Sequence, residues 1–215
     1  MSIVLGHRGL SALHLENSME AFRAALAAGM DGFELDAQPT LDGVCHVLHD
    51  DDLERTARGA GILRRLKSAE LPLLGNGEAV PRLVDALGLP ARLINVELKG
   101  EPGWKQALAA VEASGALDRV LFSSFEHSEV FQLWSACHEA RCGLLWEADE
   151  AADLDLETLE DLPAKLTFHV PLSEVLARPA FWAPHKSRLA LWGMASPKEA
   201  EPLGFEPAIL IADGI

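Results

Sequence analysis

Glu34 and Asp36 stand two residues apart in the segment FELDA. In a strand, side chains at i and i+2 share one face, so both carboxylates point the same way while Phe33 and Leu35 point the other. Like charges this close repel by several kcal/mol even at an effective dielectric of about 20. Such a pair needs a cation or a shared proton. The segment VELKG repeats the geometry, with Glu97 and Lys99 on one face and Leu98 opposite. Three carboxylates converging with oxygen donors only suit a hard divalent cation, Mg²⁺ or Ca²⁺. Zinc would more often draw histidine or cysteine.

Two histidines, His7 and His49, each follow a short apolar run. Histidine moves protons near neutral pH, and two of them beside a metal suit a reaction that needs a base for the nucleophile and an acid for the leaving group. Arg8 and Lys99 add fixed positive charge. An arginine is shaped for bidentate phosphate contact, and a lysine acts as a point charge. A divalent cation, two cationic side chains and two proton carriers fit an anionic phosphoryl substrate.

The bulk composition narrows the field. The chain has 215 residues and a formal net charge of −15, which excludes broad electrostatic binding to nucleic acid or anionic membranes. An anionic substrate must therefore be drawn by a local positive feature. An apolar share of 49% with 24% charged residues is the profile of a globular domain. No apolar run approaches the ~20 residues of a membrane span, and no charged segment with an apolar run after it opens the chain. Cys45, Cys137 and Cys142 lack metal-site spacing and read as reduced thiols. The expectation is a cytoplasmic protein without stable membrane association.

The elements that position these residues alternate. Strands are expected over 3–5, 32–37, 44–48, 93–98, 120–123, 142–146, 166–170, 188–192 and 208–212, and helices over 18–28, 83–87, 104–113, 128–140, 155–162, 173–177 and 197–203. Alternating β and α implies a parallel sheet with helices outside, open or closed into a barrel, and active sites at the carboxyl ends of its strands. Only AQPTLDG lies between Asp36 and Val44, too short for a helical crossover, so a barrel is expected to be irregular there. Nine strand candidates for eight barrel places imply one wrong assignment, and 166–170 or 208–212 is suspected. Residues 51–80 interrupt the alternation and read as a small insertion at the barrel mouth within one domain spanning 1–215.

The chain resembles the glycerophosphodiester phosphodiesterase family. The resemblance rests on GHRGLSALHLENSMEAFRAAL, GMDGFELDAQPTLDGVCHVLHDDDLERTARGAG, AVPRLVDAL, NVELKG and LFSSF, in that order and spacing. It implies an irregular TIM (β/α)8 barrel of the phospholipase-C-like type with a small insertion. It implies hydrolysis of a glycerophosphodiester to sn-glycerol 3-phosphate and an alcohol. Mapped onto matching positions, Glu34, Asp36 and Glu97 are the implied metal ligands, and His7 and His49 the acid–base pair. Arg8 and Lys99 are phosphate contacts, and Glu16 is a further polar residue of the site. The last third departs from the family pattern, with LWGMAS and ADGI in place of WTVN-like and TDRP-like stretches, but Trp192 is kept as a substrate contact.

Other residues read more plainly. Asp50 orients a neighbour or caps a turn. Ser123 and Ser124 lack a nucleophile elbow. Glu147 and His169 sit at strand ends, where they can line the pocket. Phe181 and Trp182 read as a packed loop; a lipid-tail contact there would favour a rival reading, a lysophospholipase D. A second rival is a catalytically weak polyol-phosphate binding protein.

Overall fold

Along residues 32–37 the side chains fall alternately on two faces. Phe33 and Leu35 are fully buried, and Phe33 stacks on Phe22 with ring centroids 4.4 Å apart. Glu34 and Asp36 take the other face, as the two-residue period requires. The computed structural model describes residues 1–100 and 103–215.

The strands are β1 (Ile3–Gly6), β2 (Gly32–Pro39), β3 (Cys45–Val47), β4 (Leu93–Leu98), β5 (Val120–Ser124), β6 (Arg141–Leu145), β7 (Thr167–Pro171), β8 (Leu189–Met194) and β9 (Ile209–Ala212). All but β3 pair in parallel in the order β1-β9-β8-β7-β6-β5-β4-β2, and β1 pairs with β2 to close a TIM barrel. β3 instead runs antiparallel to β2, with Ala37 opposite Val47 and Pro39 opposite Cys45. AQPTLDG is therefore a hairpin connection, which needs no helical crossover.

This corrects the expectation that one strand assignment fails. Residues 166–170 and 208–212 correspond to β7 and β9, both barrel strands. The ninth strand is β3, outside the barrel. The reason is a mismatch of lengths. β2 has eight residues and β1 only four, so β1 pairs with Gly32 and Phe33 and leaves the far half of that edge of β2 to β3.

Helices fill the gaps between strands: α1 (Met19–Ala27), α2 (Leu83–Leu87), α3 (Trp104–Ser114), α4 (His127–Ala136), α5 (Ala148–Ala152), α6 (Leu156–Asp161), α7 (Leu172–Ala177) and α8 (Pro179–Trp182). Ser18 caps α1 by accepting from the Ala21 N–H, and Ala21, Phe22 and Ala25 form its buried face. α4 stops at Ala136 rather than near 140, because Cys137 turns to extended backbone. Residues 197–203 form a 3-10 helix with Pro202 inside it, not an α-helix. α5 and α8 were not expected; at five and four residues they are too short to show a helical period. Trp182 is fully buried and donates its Nε1–H to Glu174 at 3.2 Å, which makes the PAFW segment packing rather than a free apolar surface.

The barrel interior is apolar at one end. Leu5, Leu93, Leu121, Ala190, Ile209 and Ile211 pack together there. Further along the same strands come His7, Glu97, Ser123 and Trp192, so the polar groups gather at the carboxyl ends. Residues 51–80 carry two short 3-10 turns and a small apolar cluster of Leu53 and Leu63 with Leu48. His46 ties this segment to β3: its ring nitrogens lie 3.1 Å from the Val80 carbonyl and 2.7 Å from Ser68 Oγ.

The turn after β1 depends on glycine. Gly9 has φ +85°, and a Cβ built on it would stand 2.6 Å from the backbone of Ala21 in α1. Leu10 then donates to the Ala21 carbonyl at 3.0 Å, which fixes the turn to the helix. Gly9→Ala is expected to destabilise the fold by about 1–3 kcal/mol, from left-handed backbone strain and displacement of α1. A urea denaturation midpoint equal to that of the wild type would show that this turn does not need the glycine.

Candidate active site

The glycine-flanked turn presents His7 and Arg8 at the mouth, β2 presents Glu34 and Asp36, and β4 presents Glu97 with Lys99 beyond it. His49 arrives differently. β3 descends toward the barrel, and Leu48 N–H donates to the Asp36 carbonyl at 3.0 Å, which sets His49 at the level of the carboxylates.

One oxygen from each of Glu34, Asp36 and Glu97 falls in a group spanning no more than 4.8 Å. Glu34 and Asp36 are 3% and 0% exposed, and the Glu97 side chain 12%. The second oxygens of the first two are held: Glu34 Oε2 accepts from the Arg8 backbone N–H at 2.8 Å, and Asp36 Oδ2 from Asn17 Nδ2 at 2.8 Å. Among the described residues, Glu34 Oε1 and Asp36 Oδ1 are buried with no hydrogen-bond donor. Lys99 Nζ lies 2.5 Å from Glu97 Oε1 and 3.5 Å from Asp36 Oδ1, so it is the counter-charge of both. Burial, then the charge of Asp36, pushes Glu34 up to about 8 and Glu97 up to about 7. Three carboxylates that each bring an oxygen into one buried group fit a hard divalent cation in donor type and spacing.

Each histidine is paired with an aspartate. His7 Nδ1 lies 2.7 Å from Asp213 Oδ1, and His49 Nδ1 lies 2.6 Å from Asp50 Oδ1. With the proton on Nδ1, Nε2 is the nitrogen left for the cavity. Burial lowers the pKa of His7, but the hydrogen bond to Asp213 and the charge of Glu34 outweigh it, and the net direction is up. Asp213 moves down through the same bond. Asp50 is held well below the usual carboxylate range, first by Arg55 and then by His49.

His7, Arg8, Glu34, His49, Glu97 and Lys99 line one cavity of about 170 Å³, together with an apolar set of Phe125, Leu145, Trp192 and Ile211. Trp192 packs edge-on to Phe125, and its buried Nε1–H has no acceptor, which leaves a donor at the cavity wall. A larger groove of about 460 Å³ near Val84 and Lys105 lies on the outside, away from these groups.

Asp36 belongs to the acidic group without lining the cavity. Glu16 lies outside the cavity as well: it accepts from Arg8 at 2.9 Å and from Arg55 at 2.7 and 2.8 Å. Glu147 reaches the lining, but His169 does not. That ring is fully buried in the barrel, in space that a Cβ on Gly143 would occupy, and burial pushes it down to about 3. Sequence reasoning missed Asn17, Phe125 and Arg55. The signal for Asn17 was slight: asparagine tolerates positive φ, here +55°, at the turn that aims it at Asp36.

The model of the glycerophosphoryl diester phosphodiesterase family matches residues 7–177. This chain belongs to that family. A glycerophosphodiester phosphodiesterase of Caldanaerobacter subterraneus is 31% identical over 163 residues, which is 68% of this chain and 67% of that protein. The chain spans 60 to 67% of the length of the first curated relatives it matches. The glycerophosphodiester phosphodiesterase of Thermotoga maritima superposes with a TM-score of 0.78 at 28% identity, over 99% of this chain and 95% of that one. A phosphodiesterase of Oleispira antarctica, solved in complex with its product sn-glycerol-3-phosphate, shares the fold with a TM-score of 0.81 at 24% identity, over 98% and 92%. Family and barrel fold agree with the expectation from sequence, and the enzyme class of the family is phosphodiester hydrolysis.

The raised carboxyls make a test by linkage. Glu34 and Glu97 ordinarily titrate near 4.5, so holding them ionised destabilises the free protein, not at all below that value and fully above about 8. A divalent cation binds the ionised form and relieves that penalty. Millimolar Mg²⁺ or Ca²⁺ is therefore expected to raise the melting temperature more at about pH 8.5 than at about pH 6. Asp36→Asn should abolish most of the shift. An equal shift in that variant would remove these carboxylates from cation binding.

Proposed function

We propose that this protein hydrolyses glycerophosphodiesters to sn-glycerol 3-phosphate and an alcohol by general acid–base catalysis, with Mg²⁺ or Ca²⁺ held by Glu34, Asp36 and Glu97. The observation that carries the reading is one cavity lined by two histidines, each backed by an aspartate, and by Glu34 and Glu97 of an acidic group completed by Asp36. Family membership supplies the substrate class.

Charge explains how an acidic chain receives an anion. Arg8 and Lys99 offset two of the three clustered carboxylates, and a divalent cation would more than offset the third. That cation, when bound, supplies electrophilic stabilisation to a phosphoryl oxygen. Arg8 and Lys99 hold the phosphate against the polar wall. One histidine takes a proton through Nε2 from the attacking oxygen as it bonds to phosphorus, and the other protonates the alkoxide as its P–O bond breaks; the attacker is a water, or a glycerol hydroxyl whose cyclic phosphate a water then opens with the roles reversed. Each transfer is worth roughly a hundred- to ten-thousand-fold, so charge stabilisation and positioning carry the rest of a very slow reaction.

Size favours a small diester over a lipid. A cavity of about 170 Å³ suits a glycerol phosphate group, and Trp182, the candidate anchor for an acyl chain, is buried. The two paired histidines weigh against a binding protein without turnover. Among the described residues no helix is long and apolar enough to cross a membrane. The reading is of one catalytic unit over 1–215 with residues 51–80 at its mouth, acting in the cytoplasm on a small molecule.

His7→Ala and His49→Ala are each expected to stay folded and to lose at least about a hundredfold in kcat on glycerophosphocholine, followed by coupled detection of glycerol 3-phosphate. Near-normal turnover by both would refute their roles. Exhaustive EDTA treatment is expected to abolish turnover, and Mg²⁺ or Ca²⁺ to restore it; full activity after chelation would remove the cation from the mechanism.

A further inference from the structure

Arg55 belongs to the inserted segment, yet it grips two carboxylates of the barrel mouth. Its Nε and Nη2 donate to Asp50 Oδ2 and Oδ1 at 2.5 and 3.1 Å, and its Nη1 and Nη2 donate to Glu16 Oε2 and Oε1 at 2.7 and 2.8 Å. Each carboxylate holds a residue of the cavity. Asp50 Oδ1 takes His49 Nδ1 at 2.6 Å, and Glu16 Oε1 accepts from Arg8 Nη1 at 2.9 Å. Arg8 Nε continues to Asp36 Oδ2 at 3.4 Å. A continuous charged path thus runs from an imidazole through Arg55 to the phosphate-facing guanidinium.

Arg55 does not line the cavity, and its side chain is 46% exposed. Its partners Glu16 and Asp50 are more buried than Arg55 itself, so the fork acts on the groups they hold as well as on the fold, and the two roles separate by experiment. What a planar fork between two carboxylates does well is fix direction. Without it, Asp50 and Glu16 are adjacent like charges, and each can swing with the group it holds.

We propose that Arg55 is a positioning residue for the hydrolysis: it locks Asp50 and Glu16 together and so sets the His49 ring and the Arg8 guanidinium in one fixed relation. The proposal rests on the phosphodiesterase reading above for its activity readouts.

The test compares Arg55→Ala with Arg58→Ala, whose native side chain, among the described residues, bonds only to the Gly75 carbonyl in the same segment. Arg55→Ala is expected to lower kcat by about 10- to 100-fold, as loss of an orienting partner behind a functional group typically does, with a smaller change in KM. Millimolar guanidinium should restore part of that loss. Arg55→Lys should stay impaired, because an ammonium cannot reproduce the two-sided fork, and Arg58→Ala should keep wild-type turnover. In imidazole ¹⁵N spectra of Arg55→Ala at one pH, the His49 tautomer should become mixed while the His7 signals hold. Wild-type kcat in Arg55→Ala would overturn the proposal. So would a loss that tracks the melting temperature, without guanidinium rescue and with an unchanged His49 spectrum. If the wild-type protein cleaves no glycerophosphodiester, the functional reading fails, and the His49 spectrum alone then decides whether Arg55 sets that ring.

Discussion

Burying like charges is the constraint from which the rest of this molecule follows. Glu34 and Asp36 share one strand face and are almost wholly removed from water, and Glu97 stands beside them on the neighbouring strand, where Asp36 and Glu97 are registered partners. Such a group tolerates only a few surroundings. It can hold protons, and the upward shifts of Glu34 and Glu97 show that pull. It can take counter-charges, and Arg8 and Lys99 are drawn in to 3.4 and 3.5 Å of Asp36. It can chelate a cation through one oxygen from each carboxylate. A site that destabilises its own fold in this way is one that positive charge stabilises.

The barrel makes room for the site through an inequality between its first two strands. β1 ends after four residues, so its polypeptide turns inward through Gly6–Gly9 and places His7 and Arg8 over the mouth. β2 continues for eight, and its free upper edge is taken by β3. One short strand therefore yields both histidines: it frees the turn that carries His7 and vacates the edge that brings His49 down. A regular barrel with equal strands would have buried that edge against β1 and sent His49 elsewhere.

How much of this was legible depended on the range of each interaction. FELDA and VELKG declare themselves because a two-residue period is local, and the pairing of strands only brings two already-facing surfaces together. His49 was legible by residue type, but the direction of its strand was not, since an apolar triplet reads alike in parallel and antiparallel pairing. That ambiguity produced the surplus strand. Glu16 was legible as a charged neighbour of the site, but not as a link between Arg8 and Arg55, because Arg55 lies 39 residues away in sequence. The partner of His7 is 206 residues away, and Asn17 meets Asp36 over 19. Only the closed fold supplies those distances. Trp182 was legible as packing, but its hydrogen-bond acceptor was not: α8 turns the indole into the core, where Glu174 accepts its hydrogen bond.

The two histidine–aspartate pairs have nearly equal lengths and quite different support. Asp50 is the sequence neighbour of His49, so that pair forms locally and needs help only in orientation, which Glu16 and the inserted segment provide. Asp213 reaches His7 only when β9 docks against β1, the last closure of the barrel, where Ala212 accepts from the His7 backbone N–H at 2.8 Å. The family model stops at residue 177, and the sequence beyond departs from the family's usual blocks, yet that stretch supplies both Asp213 and Trp192. What is required there is a carboxylate at the end of β9 and an indole at the end of β8, held by strand register. The geometry around His7 therefore rests on strand register at the end of the chain, not on a local sequence pattern.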